Sequence, residues 1–122
     1  MFEGAADEAM RFYVAQFPGS EILELVRYAP GEPGREGSVK HGMFRLGDQV
    51  VLCTDTEIQH GFTFTRASSL FVTCDSEEEI RRLAVALPEG GSTLMPLDNY
   101  GFSRQFAWVS DRFGVSWQLN LP

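Results

Sequence analysis

The stretch that decides the fold is the end of the chain, Phe106-Ala-Trp-Val-Ser-Asp-Arg-Phe-Gly-Val-Ser-Trp-Gln-Leu-Asn-Leu-Pro122. Apolar and polar residues alternate on both sides of an Asp-Arg-Phe-Gly segment, which is typical of two strands joined by a turn. A weaker copy of this hairpin occurs earlier in the chain, with its turn at Gly47. Each hairpin follows a helix pattern, a Pro-containing stop and a further strand, so the sequence predicts a duplicated domain.

The two halves share one order of predicted elements. Apolar spacing predicts a helix over 5–17, and in the second half Ser76 and Glu79 form a capping box ahead of a helix that ends at Pro88. Strands are predicted at 21–28, 39–46, 50–54, 69–74, 93–97, 104–109 and 115–121. We expect an α+β fold of paired β-α-β-β-β modules whose curled antiparallel and mixed sheets surround a cup, with Met1-Phe2 as a shortened first strand. The modules are assigned to 1–57 and 67–122, with a linker over 58–66.

The composition is that of one acidic globular domain. Of its 122 residues 43% are apolar, the net charge is −7, and the pI is about 4.7. Nucleic acid and anionic membrane surfaces require clustered Lys and Arg, so neither partner is expected. No apolar run approaches the ~20 residues of a membrane helix. Cys53 and Cys74 lack CxxC spacing and are predicted to be reduced, inert core thiols of a cytoplasmic protein.

Four parts of the chain carry a resemblance to a known family: 2–4 with 9–13, 37–41, 69–72 and, most specifically, 111–118. They resemble the vicinal oxygen chelate superfamily, which includes glyoxalase I, bleomycin resistance proteins and extradiol dioxygenases. Within it the resemblance is closest to the PhnB-like group, often labelled 3-demethylubiquinone-9 3-methyltransferase. The resemblance implies a glyoxalase/bleomycin resistance-like fold, frequent assembly as a homodimer and, in active members, a divalent metal held by His, Glu or Gln.

Carried over to this chain, the family's metal-ligand positions fall on an apolar residue of the shortened first strand, on Leu52, on Ser68 and on Gln118. One neutral amide oxygen cannot hold a divalent ion, so we predict that the inherited metal site is absent and that no cofactor is bound. The alternative is a divalent metal at a relocated site formed by His41, Asp55 and His60. Each histidine also has a structural interpretation, at a strand end for His41 and in a solvated loop for His60.

The second half is rich in aromatic residues, more than one helix needs for cover. Some of them could line a pocket for a small planar or apolar ligand with an anionic handle. The alternative is that they form the core and a dimer interface. The candidate pocket residues are His41, Tyr100, Arg104, Trp108 and Gln118.

Three functions stay open at this point. The first is a small-molecule binding protein of unknown ligand, and the second is a metal-dependent lyase, isomerase or dioxygenase of the same fold. The third is a structural or partner-binding module. The methyltransferase label is treated as a family name, because S-adenosylmethionine commonly binds a glycine-rich loop in a doubly wound fold, and the chain has neither feature.

Overall fold

Each half of the chain contains one helix and a small sheet in the computed structural model, which describes residues 1–122. Two units are distinguished, Met1–Phe62 and Thr63–Pro122. The first contains α1 (Ala6–Gln16), β1 (Glu21–Arg27), β2 (Val39–Leu46) and β3 (Gln49–Cys53). The second contains β4 (Leu70–Thr73), α2 (Glu77–Ala86), β5 (Ser92–Asp98), β6 (Gln105–Ser110) and β7 (Ser116–Leu121). The predicted α+β class and the repeated element order are confirmed.

The sheet of the first unit has the antiparallel order β1-β2-β3, and α1 packs on one face. Met10 of α1 lies over Gly42 of β2, where an added Cβ would stand 2.8 Å from Met10 Sδ. Glycine at this position therefore lets the helix approach the strand closely. Phe2 forms a single parallel bridge with Asp55, so the shortened strand predicted at Met1-Phe2 is reduced to one residue pair.

The sheet of the second unit has the order β4-β7-β6-β5, with β4 parallel to β7 and the other pairs antiparallel. Helix α2 contacts β5, β6 and β7. Strands alternate between faces, and the residues of β6 and β7 on the helix side are buried. These are Ala107, Val109, Trp117, Leu119 and Leu121. The alternate residues lie on the opposite side, which we call the open face.

Helix α2 begins as its sequence predicts, with one difference in the cap. Ser76 Oγ accepts a hydrogen bond from Glu79 N at 3.1 Å, as expected of the first residue of a capping box. The returning bond of the box is shifted, because Glu79 Oε2 accepts from Asp75 N at 2.8 Å rather than from Ser76 N. Glu77 and Glu78 lie in the first turn, where negative charge complements the helix dipole.

Helix α1 has no side-chain cap of its own, and Asp55 supplies one from the end of the sheet. Asp55 is 5% exposed, and its Oδ1 accepts from Gly4 N and Ala6 N, both at 3.0 Å. Its Oδ2 accepts from Val39 N at 2.9 Å. One buried carboxylate thus joins the start of α1 to the start of β2.

Asp111 closes the final hairpin, as its turn position suggested. Its Oδ1 accepts from Phe113 N at 2.9 Å and Val115 N at 3.0 Å. Its Oδ2 accepts from Nε1 of the buried Trp117 at 2.9 Å. The carboxylate therefore stabilises the turn and fixes a core indole at the same time.

The two cysteines are unpaired. Burial is the main cause that raises the pKa of Cys53 to about 11 and the pKa of Cys74 to about 12. Both groups are therefore protonated at neutral pH, which agrees with inert core thiols.

Candidate functional site

A row of four side chains crosses the open face of the second sheet. Strand register pairs Phe71 of β4 with Gln118 of β7, Gln118 with Trp108 of β6, and Trp108 with Met95 of β5. Paired residues share a face and lie beside one another, so the row reads Phe71, Gln118, Trp108 and Met95. Phe71 is 59% exposed, whereas the other three are half-buried. We call these four residues the aromatic-amide row.

The indole of Trp108 is held by a buried hydroxyl. Its Nε1 donates to Ser116 Oγ at 2.7 Å, and Ser116 Oγ lies 2.6 Å from Ser69 Oγ. Ser116 is 1% exposed, so the hydroxyl that accepts from the indole is itself buried. The ring is therefore oriented before any ligand arrives, which lowers the entropy cost of binding to it.

The amide of Gln118 is different, because it makes no hydrogen bond within the chain. A primary amide offers two donor hydrogens and an acceptor oxygen. Half-buried between Phe71 and Trp108, this amide is the polar group of the row that is available to a ligand.

A second aromatic group lies where β5 and β6 are connected. The Tyr100 ring stacks on Phe102 at 6.3 Å between centroids, and both rings meet Phe106 edge-on. The Tyr100 hydroxyl donates to Pro96 O at 2.6 Å. Phe106 is buried on the open face, so these rings cover one end of that face.

The remaining predicted pocket residues lie in other surroundings. Arg104 is exposed just before β6, and its Nε donates to Pro122 O at 2.7 Å. His41 belongs to the first unit, on the face of β2 opposite α1, with its Nε2 3.9 Å from Glu24 Oε2. Trp108 and Gln118 are thus the two predicted residues that the second sheet brings side by side.

The relocated metal site is not assembled. No group of three or more His, Cys, Asp or Glu side chains is placed to hold a metal ion. Both Asp55 oxygens accept backbone N–H groups, and His60 stacks on Phe62 with its Nε2 3.4 Å from Thr56 Oγ1. The three residues His41, Asp55 and His60 therefore have separate local roles.

The metal positions implied by the superfamily do not fit a divalent ion either. Leu52 is an apolar side chain 60% exposed on β3, and Phe2 occupies the shortened first strand. Ser68 is exposed and precedes β4, which begins at Leu70, and the hydroxyl of the neighbouring Ser69 reaches β7. That hydroxyl contacts Ser116 rather than Gln118, which leaves one neutral amide as the donor set.

Two cavities of the first unit lie beside the start of α1 and have charged residues in their lining. One of about 450 Å³ is lined by Asp7, Arg11, Arg27 and Ser38, and one of about 280 Å³ adjoins it at Ser38 and Asp55. Asp7 pairs with Arg11 at 2.7 Å and with Arg27 at 2.5 Å, and the hydrogen bond from Arg27 is the main cause that lowers the Asp7 pKa. Because these charges already neutralise one another, we assign the candidate site to the aromatic-amide row instead.

Sequence reasoning missed the two serines beneath Trp108. Ser69 and Ser116 look like ordinary polar strand residues, and their contact depends on the parallel pairing of β4 with β7. The available signal was the alternation in 115–121, which places Ser116 and Gln118 on one face. It identifies the face but not its neighbouring strand.

These features define the class of protein. Two modules, each with one helix on a sheet, form the glyoxalase/bleomycin resistance-like fold. The chain belongs to the 3-demethylubiquinone-9 3-methyltransferase family, whose model matches residues 1–120. The expected membership of this family is thereby confirmed.

Solved structures agree with this assignment. The PhnB protein of Bacillus cereus is 50% identical with a TM-score of 0.96, over 100% of this chain and 95% of that one. Protein PA1353 of Pseudomonas aeruginosa is 27% identical with a TM-score of 0.82, over 98% and 91%. Lactoylglutathione lyase of Agrobacterium tumefaciens is 16% identical with a TM-score of 0.55, over 99% of this chain and 88% of that one. This similarity concerns the fold alone. A search of the curated proteins finds no match.

Neither helix combines the length and the apolar character that crossing a membrane requires.

Proposed function

We propose that this chain is a small-molecule binding protein that holds its ligand on the open face of the second sheet. The observation that carries the proposal is the half-buried Gln118 amide, which makes no hydrogen bond within the chain and lies between Phe71 and Trp108. Binding sites commonly combine apolar and aromatic walls with a few oriented polar groups, and this row has that composition.

Binding without metal chemistry is favoured over the metal-dependent alternative. At the metal positions implied by the family, Gln118 is the one side chain that could donate to a metal. At the relocated site, the carboxylate of Asp55 already accepts hydrogen bonds from three backbone N–H groups. We do not propose methyl transfer, the activity in the family's name. The two small sheets with one helix each differ from the doubly wound fold that commonly binds S-adenosylmethionine. We also propose a cytoplasmic location, which the two unpaired thiols support because thiols persist in reducing compartments.

The proposal is tested by a thermal-shift screen of small molecules, followed by titration of each hit. A ligand that binds the native state alone raises the melting temperature. Replacing Phe71 by Ala is expected to weaken each hit about tenfold, because an aromatic wall is removed. Little stability is lost, since the ring is 59% exposed.

Val85→Ala is the control. Val85 is 76% exposed on α2, the helix that packs on the face of the second sheet opposite the open face, so this substitution should leave affinity unchanged. A screen without any reproducible shift would contradict the proposal and favour a structural or partner-binding module. Hits weakened equally by both variants would contradict the position of the site.

We also propose that the chain assembles as a homodimer, as its family resemblance implies. Val50 and Leu52 expose apolar side chains side by side on β3, at 45% and 60% exposure. Light scattering should give twice the 13.6 kDa chain mass. Leu52→Asp should shift the mass toward the monomer because it buries a charge in the interface, whereas Val85→Asp on the exposed side of α2 should not. A monomeric unmodified protein would refute the assembly.

A further inference from the structure

The strands of the second sheet carry almost no charge. Across β4, β5, β6 and β7 the one ionisable side chain is Asp98, at the end of β5. Asp98 pairs with Phe106 of the open face after an irregular stretch of β5, and its Oδ1 accepts from Asn99 N at 2.8 Å. An anionic ligand would meet this negative charge and find no cation on the strands, since Arg104 lies before β6 and is bonded to Pro122 O. The face therefore suits an uncharged ligand.

The Gln118 amide of the aromatic-amide row favours a ligand with a particular hydrogen-bonding edge. Gln118 presents a donor and an acceptor side by side, and a half-buried amide gains most from a ligand edge that satisfies both. A lactam or a primary carboxamide has that edge, because its N–H and C=O are adjacent and form a pair of parallel hydrogen bonds with an amide. A carboxylate has no donor, and a hydrocarbon has neither group.

The flanking rings set the shape of that ligand. Trp108 is fixed by its bond to Ser116, and Phe71 lies on the other side of Gln118. Flat faces of this kind stack best on a planar conjugated ring. Met95 continues the row beyond Trp108 with a flexible apolar side chain that adapts to irregular outlines.

From these features, and resting on the proposed function, we infer that the ligand is an uncharged planar ring whose lactam or carboxamide edge pairs with Gln118. This class replaces the anionic handle expected from the sequence. Ser116 acts as a positioning residue, because its hydroxyl holds the indole against which the ring stacks.

Three bicyclic probes of similar size test the inference. Isoquinolin-1(2H)-one carries the lactam edge, its N-methyl derivative lacks the donor, and 1-naphthoate carries a charge. Affinity is read from quenching of tryptophan fluorescence. Trp108→Phe assigns the signal, because the remaining Trp117 is 1% exposed on the helix side of the sheet. We expect the lactam to bind about tenfold more tightly than either of the other probes.

Gln118→Leu should weaken the lactam about tenfold and change the affinity of the N-methyl probe by less than about threefold. Gln118→Met, which keeps the side-chain length and removes both the donor and the acceptor, provides a second variant in case the first is unstable, and it should also remove the preference for the lactam. Ser116→Ala should weaken the lactam and the N-methyl probe alike, because it frees the indole rather than the amide.

The inference would be overturned if naphthoate bound as tightly as the lactam, or if both Gln118 variants kept the preference for the lactam. Either result would leave the proposed binding function intact. Absence of quenching by all three probes would also overturn it. The proposed function itself would fall only if the wider thermal-shift screen gave no ligand.

Discussion

Replacing Asp55 by Asn is expected to lower the free energy of unfolding by about 3 kcal/mol, which corresponds to a fall in melting temperature of about 10 °C. The carboxylate is 5% exposed and accepts hydrogen bonds from Gly4 N, Ala6 N and Val39 N. Asparagine has one acceptor oxygen and turns its NH₂ group toward one set of donors. At least one buried backbone N–H is then left unpaired, which costs the full desolvation of that group.

Asp48→Asn is the control, because Asp48 is exposed in the turn between β2 and β3. It should change the free energy of unfolding by less than about 0.5 kcal/mol in urea titration. A metal chelator separates the structural role of Asp55 from a metal-binding one. The effect of Asp55→Asn should be the same with and without chelator. Stoichiometric metal that His41→Ala removes, together with a chelator effect, would instead restore the relocated metal site.

The two helix starts show what local sequence can and cannot reveal. Ser76 lies directly before α2 with Glu79 three residues later, so the cap is readable from four neighbouring residues. The cap of α1 comes from Asp55, about 50 residues away, through hydrogen bonds that exist only after the sheet has formed. For that reason the same carboxylate could be considered a metal ligand from the sequence.

The candidate site also combines residues that the local sequence pattern indicates with residues that depend on strand pairing. Period-two alternation placed Ser116, Gln118 and Asn120 on one face of the last strand, and the strand β7 confirms that grouping. The same alternation grouped Trp108 with Trp117, whereas the pairing of β6 with β7 places Trp108 beside Gln118, because nothing local reports the register between two strands. The neighbours that complete the site are Phe71 of β4 and Ser69 just before that strand, and the parallel pairing of β4 with β7 joins distant parts of the chain.

The function follows from the site rather than from the fold. One glyoxalase-like architecture supports many activities, so membership of the family limits the possibilities without choosing among them. In this chain an uncharged amide lies between two aromatic side chains on the second sheet. The proposal of a neutral ring as ligand rests on this arrangement.

Replacing Gly91 by Ala is expected to destabilise the second unit by more than about 3 kcal/mol. An added Cβ would stand 2.1 Å from Ser110 O and 2.6 Å from the carbonyl carbon of Asp111. Both are backbone atoms at the end of β6, so neither can rotate away. Relieving the overlap requires movement of Asp111, whose carboxylate holds Phe113 N, Val115 N and Trp117 Nε1.

Gly34→Ala provides a matched control, since its added Cβ would also come as close as 2.3 Å to a neighbour. That neighbour is the ring of Tyr28, a side chain that can rotate, and the glycine lies between β1 and β2. We expect a loss below about 1 kcal/mol in urea titration. Equal losses of unfolding free energy for the two variants would mean that the backbone at the end of β6 can move as easily as the Tyr28 side chain. Asp111 would then not fix the final hairpin. A large loss confined to Gly91→Ala, accompanied by exposure of Trp117 to solvent, is the result that the hydrogen-bond network of Asp111 requires.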